Sequence, residues 1–97
     1  MLHDLKEIVG VLMRVLDGAE VSQAELAELS FAAHGEVRVA LLEAYIKLLE
    51  FAHDRDLRER DPAADCAMRA ELAACLDRIV EACDRERPPV PRAATIH

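Results

Sequence analysis

The 97-residue chain is long enough for one domain and carries 12 Lys and Arg against 19 Asp and Glu, a net charge of −7. That balance disfavours nucleic acids and anionic membrane surfaces, because both would repel it. Hydrophobic residues make up 53% but aromatics only 3%, alanine filling much of the gap, and no stretch alternates with period two over five or more residues; a sheet is not expected and the fold class is all-α.

Residues 1–17 predict helix one. Leu2, Leu5, Val9, Leu12 and Leu16 recur at spacings of three and four, joined by Ile8 and Val15, while His3, Lys6, Glu7, Arg14 and Asp17 fall opposite. Gly10 lies on the polar side, and Gly18 is placed to stop the helix. Met1-Leu2-His3-Asp4 lacks a basic leader, so no secretory signal is expected.

Helix two starts at Ser22. Its hydroxyl can accept from the third following amide, and Glu25 can reach back to Ser22, which is a capping box with Val21 and Leu26 as the hydrophobic staple. Its end is less defined: either Gly35 closes it, or it runs into helix three with a bend near His34-Gly35.

Helix three, Val37–His53, dominates the chain. Placed at about 100° per residue, Glu36, Glu43, Lys47, Glu50 and Asp54 share one narrow charged strip. Val37, Ala40, Leu41, Ala44, Leu48 and Phe51 form one apolar stripe, and Val39, Leu42, Ile46 and Leu49 form a second on the far side, bridged by Tyr45 and Ala52. A surface helix needs a single apolar stripe, so this one must be covered from several directions. The pattern continues to Arg60 as a solvated overhang, with Asp54–Arg58 and Asp56–Arg60 placed as i,i+4 pairs worth about 0.2–0.5 kcal/mol each.

Asp61-Pro62 is a helix start, Asp as N-cap and Pro at the first helical position. Helix four then aligns Met68, Leu72, Cys75, Leu76, Ile79, Val80 and Cys83 on one face. The prolines at 88, 89 and 91 end it. Residues 1–87 are therefore read as a helical bundle domain of three long helices and one short helix, completed by dimerisation, and 88–97 as an extended or disordered tail.

Chemistry is sparse. Glu50 and His53 have the Glu-x-x-His spacing that ferritin-like di-iron bundles use twice, but only one copy is present, so no metal or cofactor is assigned. His3, Asp4 and Glu7 also fall short of a closed ligand set and read as polar residues of a helix start. Three cysteines without a CxxC predict reduced thiols and a cytoplasmic protein; Cys75 and Cys83 are placed in the core and Cys66 outside it. No catalytic residues are assigned.

Three short resemblances bear on function. Ser22–Glu28 resembles the first helix of helix-turn-helix repressors, although Phe31 stands where their turn glycine is expected and residues 33–38 are not basic. Ala33-His34 in an acidic helical chain resembles histidine phosphotransfer domains, which implies His34 as the phosphorylated residue; Val37 and Arg38 occupy the positions of that family's Lys and Gly. Pro88–Pro91 with Arg92 is similar to an SH3-domain ligand, and in the bacterial chain that the Ala-, Arg- and Asp/Glu-heavy composition suggests it reads as a stiff tail.

The leading expectation is a cytoplasmic, non-enzymatic adaptor or regulator. It is a homodimer through Val39, Leu42, Ile46, Leu49 and His53, with an unidentified protein partner and neither nucleic acid nor membrane. The alternative is phosphotransfer through His34, and the third reading is a helix-turn-helix DNA-binding regulator.

Overall fold

The computed structural model describes residues 2–29 and 35–86, with side chains for 6–29 and 35–85. Five helices fill almost all of these residues, and no strand occurs among them: α1 Leu2–Leu16, α2 Gln23–Ala27, α3 Gly35–His53, α4 Arg55–Arg60 and α5 Pro62–Glu86. The expected tail 88–97, His34, Phe31 and the side chains of His3 and Asp4 lie outside the described residues.

Helix α1 buries Ile8, Val11, Leu12 and Val15, with Val9 and Leu16 half-buried at the edges. The buried arc thus includes Val11 and is centred slightly off the stripe read from leucine spacing. The helix ends at Gly18, whose φ of 106° is a left-handed conformation that glycine adopts without a Cβ penalty. The Ala19 amide donates to the Arg14 carbonyl at 3.0 Å and the Gly18 amide to that of Val15 at 3.0 Å, which is the Schellman closure.

The start of α2 follows the expected chemistry only in part. Ser22 Oγ accepts from the Glu25 amide at 3.1 Å, and Val21 and Leu26 are both buried. The Glu25 carboxylate is turned instead to Arg14, so the tie to α1 replaces the reciprocal half of the capping box. The helix is one short turn, and Gly35 opens α3, with φ 66°, rather than closing α2.

The first stripe of α3 faces the core: Ala40, Leu41, Ala44, Leu48 and Phe51 are buried and Val37 is half-buried. Its main neighbour is α5, with α1, α2 and α4 completing the cover.

The overhang is the main correction. Helix three does not run unbroken to Arg60: Asp54, at φ −91° and ψ 23°, leaves helical geometry and separates α3 from α4. Helix α4 folds against α5, and Arg58 is 3% exposed rather than solvated. The expected Asp54–Arg58 pair is replaced by Asp54 with His53, and Arg60 Nε donates to the Asp56 main-chain carbonyl at 3.3 Å.

Asp61 caps α5 as its position predicts, its Oδ1 accepting from the Ala63 amide at 3.1 Å. Leu72, Cys75, Ile79 and Ala82 are buried, and Met68, Leu76 and Cys83 pack around them. Val80, expected on this face, is 52% exposed. The covered arc is centred between Cys75 and Ile79, which brings Ala82 against α3 and carries Val80 past the opposite edge. No described helix is long and apolar enough to cross a membrane.

Candidate interaction surface and the buried arginine cluster

Two features stand out, one inside the fold and one outside. Inside, the turn at Asp54 leaves the Phe51 carbonyl near the end of α3, and Arg58 occupies it: Nε donates at 3.0 Å and Nη2 at 2.8 Å. A cation here also complements the negative end of the helix dipole. The same guanidinium donates to both Glu20 oxygens, at 3.1 and 2.9 Å, and to Asp65 Oδ1 at 2.9 Å. It lies over the Phe51 ring, 3.4 Å from the centroid, and Arg69 stands 4.9 Å from that centroid.

Arg69 closes the cluster. It donates to Asp65 Oδ2 at 2.9 Å, to Glu20 Oε2 at 3.0 Å and to the Val15 and Ala19 carbonyls at the end of α1. Two arginines thus bind the end of α1, the loop at Glu20, the α3–α4 corner and the first turns of α5. Burial works against the charge of Arg58, but its bonds to Glu20 and Asp65 outweigh this and hold it above its ordinary range. The hydrogen bond from Arg58 is the main cause that lowers the Glu20 carboxyl, against an opposing effect of burial. Asp65 is lowered by its bond to Arg69 first and to Arg58 second. No buried side-chain polar atom among the described residues lacks a partner. Every carboxylate and cation here is paired within the cluster.

Outside, the second stripe of α3 faces away from the core. Val39 is 56% and Ile46 54% exposed, Leu42 and Leu49 are half-buried, and His53 is exposed with Nδ1 3.2 Å from Asp54 Oδ1. Leu49 also packs on the core cluster, so it belongs partly to each side of the helix. One edge of the stripe is lined by ion pairs to α5: Glu36 with Arg85, Glu43 with Arg78 at 3.3 Å, and Lys47 with Glu71 at 3.0 Å. Between the first two of these pairs lies an open groove of about 560 Å³ with Val39, Ala40 and Ala82 in its lining.

The other candidates disperse. Glu50 lies 3.7 Å from Lys47 Nζ while His53 turns to Asp54, so the Glu-x-x-His pair does not converge. Among the described residues no three His, Cys, Asp or Glu side chains meet as a metal site. Cys66 is exposed, Cys83 half-buried and Cys75 buried; burial pushes the Cys75 thiol up. Around α2 the exposed residues include Glu20 and Glu28, which do not form a basic face. No protein-family model matches the chain, and comparison with curated proteins and with solved structures finds no significant match.

Sequence reasoning missed the arginine cluster. The Asp65–Arg69 spacing of four was a local signal. Glu20 and Arg58 are 38 positions apart and meet only through the packing of α4.

Proposed function

We propose that the protein is a small non-enzymatic interaction module, an adaptor or regulator, that acts in the cytoplasm as a homodimer through the outer face of α3. The observation that carries this reading is the exposure of Val39 and Ile46 in line with Leu42 and Leu49, on a helix whose opposite face already fills the core. Each such side chain is worth about 1.5–3 kcal/mol on full burial, of which the exposed part is still to be gained. A contiguous apolar patch of this kind marks interfaces, and a two-fold pairing of identical patches is the commonest closed assembly. Three free cysteines suit a reducing compartment.

The test is Leu42→Glu with Ile46→Glu. Circular dichroism checks that helix content is kept, and sedimentation equilibrium reads the mass. The reading predicts a folded monomer in place of the dimer. A wild-type dimer untouched by the pair of substitutions would move the interface off α3.

A further inference from the structure

The order of residue types along the α3 face says how two copies meet. Val39, Leu42, Ile46, Leu49 and His53 are spaced three, four, three and four, the seam of a coiled coil. In that register the β-branched Val39 and Ile46 take the first core position of each heptad, and Leu42 and Leu49 take the second. This arrangement favours two parallel strands. The flanks differ in the same direction. One flank carries Glu36, Glu43 and Glu50, and the other carries Arg38, Tyr45 and Ala52.

An antiparallel pair sets each flank against its own copy, so Arg38 would face a flank of Arg38, Tyr45 and Ala52 that holds no carboxylate. A parallel pair sets each flank against the opposite one and brings Arg38 beside Glu43 of the second chain, five residues on, the usual interhelical register. Arg38 is exposed, and no carboxylate of the described residues pairs with it. Glu43 is half-exposed and pairs with Arg78 at 3.3 Å. A two-heptad coiled coil is short for an isolated peptide, but α3 is already held helical by α1 and α5, so the cost of nucleating it does not fall on the dimer.

We infer that the occupant of this face is a second copy of the chain, with the two α3 helices parallel and in register about a two-fold axis along them. The inference rests on the homodimer proposed above and adds its orientation. The experiment uses the full chain carrying Cys66→Ser and Cys83→Ala, with a single cysteine introduced as Leu42→Cys or as Ile46→Cys. Oxidation is followed on non-reducing gels for each variant alone and for the two mixed. Parallel pairing predicts that each variant links to itself at least tenfold faster than the mixed 42–46 bond forms. Arg38→Glu is predicted to weaken the dimer about tenfold, and adding Glu43→Arg to restore it.

A dominant 42–46 bond in a protein that still sediments as a dimer would overturn the orientation and leave the homodimer standing. A dimer that forms neither bond would overturn the use of this face. A chain that remains monomeric at high micromolar concentration would overturn the homodimer itself, and the orientation with it.

Discussion

Replacing Arg58 by alanine should strongly destabilise the described fold. Its side chain is 1% exposed, while its partners Glu20 and Asp65 are 36% and 30% exposed. Breaking a buried ion pair by removing one partner costs about 3–5 kcal/mol. Both carboxylates can regain water, which favours the lower end. The Phe51 carbonyl loses both guanidinium donors, worth about 1–3 kcal/mol if it stays dry, and the stacking on the Phe51 ring adds about 0.5–2 kcal/mol. These contributions share one side chain and do not add, so a net loss of about 3 kcal/mol is expected. In a domain of this size 1 kcal/mol moves Tm by roughly 4–8 °C, so Arg58→Ala should melt about 12–24 °C below wild type. Arg58→Lys should recover only part of this, because an ammonium cannot fork between Phe51 and the two carboxylates. The assay is thermal unfolding by circular dichroism at neutral pH. An Arg58→Ala protein melting within about 2 °C of wild type, well below the span expected for a residue of this burial, would show that the arginine cluster does not hold the fold together.

Glu20 and Asp65 have folded-state pKa values below their ordinary 4.5 and 3.8, so the stability they contribute is present above those values and lost as pH falls through and below them. Tm measured from neutral to acid pH should fall below about pH 5, and Glu20→Gln should flatten part of that fall while lowering Tm at neutral pH. Ser22→Ala removes the cap on the Glu25 amide and should cost about 1 kcal/mol; an unchanged melt would remove this cap from the account. A disulfide-exchange reagent should modify Cys66 at once and Cys75 only on unfolding, and fast native labelling of Cys75 would contradict its burial.

Periodicity carried most of the architecture. The core stripe of α3 and the Asp61-Pro62 start of α5 could be read because each is set by neighbours a few residues away. The errors fell where tertiary contact competes with local pattern. Asp54-Arg55-Asp56-Leu57-Arg58-Glu59-Arg60 reads as a solvated helix by every local rule, yet Arg58 turns inward because the end of α3 offers a carbonyl and two distant carboxylates converge on it. Val80 lies outside the covered arc and Ala82 inside it because the position of α3 on α5, not the apolar character of either residue, decides which arc is covered. Of the outward-facing residues, the spacing placed Val39 and Ile46 on the face away from the core, and both are exposed there. The share of Leu49 that packs on the core could not be read from spacing, since it depends on what lies beside α3.

Sedimentation equilibrium of the unmodified wild-type chain, from low to high micromolar concentration, tests the proposed dimer most directly. The proposed dimer predicts a mass approaching twice the 10.8 kDa chain as concentration rises. A single species of 10.8 kDa at every concentration would contradict it.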